Sequence, residues 1–189
     1  VCLNLINPIS GDDTLFLESL QKIIDIYNIK SLVSFVNKKQ ILINLFLPKN
    51  SKSFINNTEF SSLLFSISEY INKITPLYIC IGNIVNNIYD IGLSYKNVCK
   101  IVNSTFFYNC NSVIYFDNFT SSSYILNDCI YEDFQNYLTS EEKDNLIALT
   151  NELTSEIKNF PNTSISYVKD IYYNLSLKLI NFSKDRKMD

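Results

Sequence analysis

Residues 78–117 constrain the fold most strongly, because they carry the patterns of a strand, a helix and a second strand in direct succession. Residues 78–81 form an apolar run that ends at Gly82, which predicts a buried strand followed by a sharp change of backbone direction. Residues 112–116 alternate and are rich in β-forming side chains, which predicts the second strand. Two strands joined by a crossover helix normally form a right-handed unit within one sheet.

The predicted crossover helix begins at Asp90, whose side chain is expected to cap it. Its apolar positions recur at helical spacing and predict one buried face. They are Ile91, Tyr95, Val98, Val102 and Thr105 or Phe106. The helix is expected to end near Asn109, because asparagine tolerates the left-handed conformation found at helix ends.

The preceding residues supply the rest of the sheet. Residues 1–6 predict a first strand, and Asp12 and Asp13 are expected to cap a helix with an apolar face. That face comprises Leu17, Leu20, Ile23, Ile24 and Tyr27. Residues 31–36 and 40–47 predict a β-hairpin whose turn is Asn37-Lys38-Lys39.

A polar loop at residues 49–57 is predicted after Pro48, which should end the second hairpin strand. An amphipathic helix is predicted to follow and to stop before Pro76. Its helically spaced apolar residues are Phe60, Leu63, Leu64, Ile67, Tyr70, Ile71 and Ile74.

The resulting order β-α-β-β-α-β-α-β predicts an α+β fold with a mixed sheet, of the ferredoxin-like or nucleotide-cyclase-like kind. A length of 189 residues with 47% hydrophobic residues suffices for one such domain and a helical appendage. A Ser-rich connector at residues 120–123 is expected to separate a domain at 1–119 from a helical extension at 120–189.

The extension is predicted to contain three helices. Residues 131–138 form the first, and residues 139–142 offer a capping box for the second, which has Leu146, Leu149, Leu153 and Ile157 on one face. The last helix, from about Ser164, has an apolar seam at spacings of three and four. The seam comprises Ile165, Val168, Tyr172, Leu175, Leu179 and Phe182. It suits either a coiled coil with a partner or packing against the preceding helix.

The residue types exclude several kinds of chemistry. The chain has no histidine, so a Ser-His or Cys-His nucleophile is impossible and the commonest metal ligand is absent. Five cysteines without CxxC spacing favour reduced thiols, with a redox sensor or metal site as the open alternative. The acid pairs Asp12-Asp13 and Glu141-Glu142 are interpreted as helix starts. We therefore expect no catalytic residues, no cofactor and no metal.

The charge pattern favours neither nucleic acid nor a membrane as a direct partner. The net charge is −3, and no basic stripe is present. No signal peptide or apolar run long enough for a membrane span is visible, so a cytoplasmic location is expected. Because the chain starts directly on a predicted strand without Met, we expect it to be part of a longer protein.

Residues 78–117 also carry a family resemblance, over about 40 residues in collinear order. The matching positions are Ile81-Gly82, Ser94-Tyr95, Val98, Phe106-Phe107, Asn111 and residues 113–117. This pattern resembles the central regulatory domain of AraC-type two-component response regulators from low-GC Gram-positive bacteria, a domain similar to degenerate GGDEF (diguanylate cyclase) domains. Two positions depart from it, because Val98 replaces an alanine of the family and Asn109 replaces a glycine.

The resemblance implies that the hairpin turn should carry the GGDEF signature, where glycines admit a nucleotide and carboxylates bind metal. Here residues 37–41 occupy that place, and residues 30–47 contain no carboxylate. Lys39 and Gln40 cannot replace acidic metal ligands, because a divalent cation needs anionic oxygens. The other metal-binding acid of the family falls at Asn7-Pro8. We therefore expect a cyclase-like scaffold without cyclase activity.

The resemblance further implies a signal-transmitting domain that forms a homodimer through its C-terminal helices. A receiver domain would precede it and a helix-turn-helix domain would follow, and only the latter would contact DNA. One alternative is a sensor that binds a small effector in the remnant of the cyclase pocket. A second alternative is a degenerate nucleotide enzyme that retains activity.

Overall fold

The computed structural model describes residues 1–47, 58–118 and 122–186. The predicted loop at 49–57, Pro48 and part of the connector at 120–123 lie outside these ranges. The chain divides into two compact units, Val1–Phe119 and Thr120–Asp189, which we describe separately. No helix within the described ranges is long and apolar enough to cross a membrane.

The first unit is an α+β structure built on a mixed sheet, as predicted. Its elements are β1 (Cys2–Leu5), α1 (Asp13–Asp25), β2 (Lys30–Asn37), β3 (Gln40–Phe46), α2 (Thr58–Asn72), β4 (Leu77–Ile81), α3 (Ile91–Ser104) and β5 (Val113–Tyr115). The sheet order is β2-β3-β1-β4-β5. Only β4 and β5 run parallel among these pairs. The first four strands thus follow the ferredoxin-like βαββαβ arrangement.

The predicted hairpin is confirmed between β2 and β3, where Asn37 and Gln40 are paired across a two-residue turn. The Asn37 side chain stabilises this turn, since its Oδ1 accepts a 2.9 Å hydrogen bond from the Lys39 backbone N–H. Its Nδ2 also donates to Gln40 Oε1 at 2.9 Å. Asparagine favours turns for this reason, because its side chain can bond to the backbone two residues further on.

The predicted cap of α1 is also confirmed. Asp12 Oδ1 accepts hydrogen bonds from the backbone N–H groups of Thr14 at 2.8 Å and Leu15 at 3.4 Å. The residues of α1 that are fully buried are Phe16, Leu20 and Ile24, whereas the predicted Leu17 and Ile23 are only partly buried. The predicted face is therefore confirmed, since Leu17, Ile23 and Tyr27 pack against the same core as Leu20 and Ile24, but the pattern missed Phe16.

The sheet has a hydrophobic core on each face. On one face, alternate residues of β1, β3 and β4 pack with the apolar sides of α1 and α2. On the other face, Cys2, Tyr78, Cys80 and Ile114 pack with Val98 and Ile101 of α3. All five residues of β4 are buried, because this strand has helices over both of its faces. Such two-sided burial explains why residues 78–81 are apolar without alternation.

Two predictions at the start and end of α3 are wrong. Asp90 ends a short 3-10 helix, Ile88–Asp90, and its side chain makes no capping hydrogen bond. Asn87 Oδ1 instead accepts from the Tyr89 backbone N–H at 3.1 Å. The left-handed residue after α3 is Asn111, with φ 65°, and not Asn109.

The buried face of α3 is also displaced at its C-terminal end. Of the two alternatives predicted there, Thr105 is buried and Phe106 is 60% exposed, whereas Phe107 is buried. The chain tightens there into a 3-10 helix, Thr105–Phe107, which changes the angle between successive side chains. A helical period extended from α3 therefore assigns the wrong phenylalanine to the core.

The second unit contains α4 (Cys129–Thr139), α5 (Lys143–Lys158) and α6 (Ile165–Asp185), with α4 packed against both other helices. The predicted capping box at 139–142 is wrong, because Thr139 still belongs to α4. Its hydroxyl donates to the carbonyl oxygens of Gln135 at 3.1 Å and Asn136 at 2.9 Å. Glu141 adopts φ 60° in the link to α5.

The apolar seam of α6 differs between its two halves. Val168 and Leu175 of the predicted seam are buried within the unit, whereas Tyr172 is only partly buried and Ile171, which the seam did not include, is buried. Further along, Leu179 and Ile180 are 48% and 47% exposed. The first half of the helix thus packs within its own unit. Association of the second half with a partner stays a prediction.

Two isoleucines near the end of α2 provide a matched test of this fold. Ile71 is fully buried, whereas Ile74 is 50% exposed. We expect Ile71→Ala to lower the free energy of unfolding by about 2–5 kcal/mol, because it leaves a cavity in the core. Ile74→Ala should cost less than about 1 kcal/mol. Urea unfolding followed by circular dichroism measures both, and equal effects would contradict the described packing.

Candidate functional site

At the hairpin end of the sheet, where the resemblance would place a cyclase site, both lysines of the turn are bonded to other parts of the chain. Lys38 Nζ lies 2.6 Å from Asp13 Oδ2, and Lys39 Nζ donates to the Ile6 carbonyl oxygen at 3.1 Å. The turn backbone is bound to the same segment, because the Leu5 N–H donates to Lys39 O at 2.8 Å. The turn is therefore bonded to the chain that follows β1.

The carboxylates near this turn already have structural partners. Asp12 caps α1, and Asp13 forms the ion pair with Lys38. Both members of that pair are partly exposed, so it contributes at most about 1 kcal/mol to stability. Within the described residues, no group of three or more Cys, Asp or Glu side chains is placed to hold a metal ion.

A cavity of about 700 Å³ lies at the opposite end of the sheet. At this end β3 and β4 finish and β1 begins, as their antiparallel pairing requires. The walls come from residues 42–47, the first turns of α3 and residues 82–88, which cross between β4 and α3. The cavity is therefore distinct in position from the hairpin end, where the effector-sensing alternative expected a remnant pocket.

Asn83 holds the crossing segment in place through three hydrogen bonds. Its Nδ2 donates to Asp117 Oδ1 at 2.6 Å, and its Oδ1 accepts from Asn97 Nδ2 at 2.7 Å. Its backbone carbonyl accepts from Ser94 Oγ at 2.8 Å. One asparagine thus connects the end of β4, the helix α3 and the residues after β5.

Gly82 lets the end of β4 approach α3 closely. A Cβ added at this position would lie 2.7 Å from both Ser94 Oγ and Val98 Cγ2. Such distances are shorter than van der Waals contact, so any larger residue would push β4 and α3 apart. Glycine is required here because of this close contact and not because of the backbone conformation, since its φ is not positive.

The cavity walls combine apolar and amide side chains without a formal charge. The apolar members include Leu42, Phe46 and Ile91, and the polar members include Asn44 and Tyr95. None of the lining side chains that the structure describes belongs to Asp, Glu, Lys or Arg. A hydrogen bond with Cys99 raises the pKa of Tyr95, so its phenol stays neutral at physiological pH.

Two thiols lie beside each other under α3. Cys2 and Cys80 are directly opposite on β1 and β4, and both are buried. Burial raises the pKa of Cys2 from 9.0 to about 11 and also raises the pKa of Cys80. A neutral buried thiol behaves as a small apolar residue. All five cysteines are free in the structure, and Cys110 and Cys129 are the exposed ones.

No family model, curated protein or solved structure matches this chain. The resemblance to the AraC-type regulatory domain therefore stays a prediction, and the site must be judged on its geometry. The sequence predicted the change of chain direction at Gly82, because this glycine follows a buried strand. It did not reveal the cavity, since Asn44 and Asn83 come from separate elements that only the folded chain brings to one end of the sheet.

Gly82, directly after β4, and Gly92, in the first turn of α3, allow a matched pair of substitutions. Gly82→Ala should lower the free energy of unfolding by about 1–3 kcal/mol, because the new methyl group overlaps Ser94 and Val98. Gly92→Ala should be neutral or stabilising by up to about 1 kcal/mol, since nothing lies within 4 Å of an added Cβ and alanine favours a helix. Denaturant unfolding of both variants checks this, and equal effects would refute the close contact at Gly82.

The buried thiols predict an alkaline loss of stability. The folded state favours protonated Cys2, so its contribution is complete below pH 9.0 and is lost as pH rises towards about 11. Urea unfolding across this range should show a decline that is shallower in Cys2→Ala than in the unsubstituted chain. Cys129→Ala is the control, because Cys129 is exposed and should leave the slope unchanged.

Proposed function

We propose that this chain is a non-catalytic regulatory module of a cytoplasmic transcriptional regulator. The first unit receives an input, and the second unit transmits it by forming a homodimer through α6. By resemblance, the full-length protein would be an AraC-type response regulator with a receiver domain and a helix-turn-helix domain. DNA contact would belong to that helix-turn-helix domain.

The bonded hairpin end carries this proposal. An active cyclase-type site needs space for a nucleotide and carboxylates for metal, and this turn has lysines bonded to Asp13 and to the Ile6 carbonyl. A cyclase-like sheet whose turn is bonded in this way supports a use other than catalysis. The mechanism we propose is a population shift, in which the input changes the fraction of chains that associate.

The second half of α6 supports the association step. Leu177, Leu179 and Ile180 are exposed large apolar residues within about one turn of the helix. Leu179 and Phe182 continue the spacing of three and four that begins with the buried Val168. Side chains at such spacing can pack between two copies of a helix as in a coiled coil.

Light scattering over a range of concentrations tests this association. We expect a monomer–dimer equilibrium, and Leu179→Glu should raise its dissociation constant at least about tenfold, because a charge would enter an apolar interface. Leu15→Glu is the matched control, since Leu15 is exposed on α1 in the first unit. A strict monomer at every concentration, in the given chain and with flanking segments restored, would overturn the dimer.

A turnover assay separates regulation from the enzyme alternative. Incubation of concentrated protein with GTP and Mg²⁺ should yield no cyclic dinucleotide and no other product above a protein-free blank. If the unsubstituted chain formed product and the Lys39→Ala variant did not, the non-catalytic proposal would be overturned. The substitution acts at the turn where the resemblance locates the chemistry.

Effector sensing is the second candidate function, and the cavity is the observation that favours it. A pocket in the first unit would give the regulatory module a chemical input. The position of the cavity, away from the hairpin, distinguishes this candidate from one that reuses a cyclase site.

A further inference from the structure

We propose that the cavity bounded by β3, α3 and residues 82–88 binds an uncharged small molecule with a largely apolar body and a polar group that pairs with a carboxamide. Binding would supply the input of the regulatory module, so its regulatory consequence rests on the function proposed above. The binding itself depends only on the first unit and is tested independently.

The dimensions of the cavity fit a small-molecule site. Its volume of about 700 Å³ falls within the range of roughly 300–1,000 Å³ typical of ligand pockets. Its walls are largely preformed, because β3 belongs to the sheet and the crossing segment is held by the hydrogen bonds of Asn83. A preformed site lowers the entropy cost of binding.

The absence of charged side chains among the described lining residues favours an uncharged ligand. No described lining side chain is formally charged. The α-amino group of Val1 also borders the cavity, but it donates to the Ile43 carbonyl oxygen at 2.9 Å, and burial lowers its pKa and so disfavours its charged form. A carboxylate, phosphate or ammonium group removed from water would therefore find no charged side chain to compensate it among the described lining residues. Burying an unpaired charge is far more costly than burying a neutral polar group. Among the described lining residues, this cavity therefore favours a neutral molecule over a charged nucleotide, the ligand expected of a cyclase-type site.

Asn44 supplies the polar group that would orient the ligand. It lies half-buried on β3 and lines the cavity, and its carboxamide has no hydrogen-bond partner among the described residues. Asn83 contrasts with it, because both polar atoms of the Asn83 side chain are bonded to protein. The atoms of this amide are accessible to water, since they are not among the buried unpaired atoms, so a ligand that offers a donor or acceptor would replace water there.

Apolar and aromatic side chains around Asn44 would contact the rest of the ligand. Leu42 and Phe46 share its face of β3, two residues to either side, and Tyr95 lines the cavity from α3. Phe46 is 50% exposed, although it is a large aromatic residue. A bound apolar body would cover such surface, and removing apolar surface from water favours binding.

Two fluorescent probes of similar shape and different charge test the proposal on the full 189-residue chain. N-phenyl-naphthylamine is neutral, whereas anilinonaphthalene sulfonate carries the same rings with an added anionic group. We expect saturable binding of the neutral probe at one site per chain, at least about tenfold tighter than the sulfonate. Absence of saturable neutral binding, or equal affinity for both probes, would overturn the proposal.

Substitutions locate the binding site. Asn44→Asp should weaken the neutral probe at least about tenfold, because the new charge would be covered on binding. Asn103→Asp makes the same chemical change on exposed α3 surface away from the cavity, and should stay within about twofold of the unsubstituted chain. Equal behaviour of the two variants would overturn the assignment of the site.

A second substitution keeps the test decisive if Asn44→Asp does not fold, as judged by circular dichroism. Phe46→Lys places a cation at the half-exposed rim, and should reduce the preference for the neutral probe over the sulfonate to less than about threefold. An unchanged preference would contradict binding at this cavity. Light scattering of Leu179→Glu reports on the dimer separately, so failure of ligand binding and failure of the regulatory proposal give different results.

Discussion

The burial of β4 on both faces is the constraint on which the rest of the first unit depends. Leu77–Ile81 pairs with β1 on one side and β5 on the other, and helices cover both of its faces. Its alternate side chains therefore belong to different cores, Ile79 with α1 and α2 and Cys80 with α3. Because the strand is surrounded, the residue that follows it must leave the sheet beneath α3, and only a glycine fits that space.

The two ends of this sheet have different chemistry. At one end, Lys38 and Lys39 bond to the chain after β1, which satisfies cations with a carboxylate and a carbonyl oxygen. At the other end, the Gly82 turn and the Asn83 hydrogen bonds hold a crossing segment beside β3 and leave a cavity, whose described lining side chains are uncharged. The fold thus leaves the two ends of one sheet with different surroundings, and a function has to be argued from each site and not from the fold.

Much of the architecture could be predicted because it depends on residues that are close together in the sequence. The hairpin at Asn37 and Gln40, the Asp12 cap and the apolar period of α2 depend on residues within one turn or one strand of each other. The errors share a different cause. Phe106 is exposed because α3 tightens into a 3-10 helix, and Asp90 does not cap because Asn87 turns the chain earlier. Both depend on how the ends of α3 meet the sheet, which a helical period does not contain.

The sequence by itself determined the α+β class, the order of elements and the absence of histidine chemistry, because composition and periodicity are properties of the chain alone. Only the tertiary structure decided at which end of the sheet the turn lysines are bonded and at which end a cavity lies. The physical reason is that Asn44, Gly82 and Tyr95 lie far apart in sequence, and their common position follows from the pairing of β1 with β3 and β4 and from the close contact between β4 and α3.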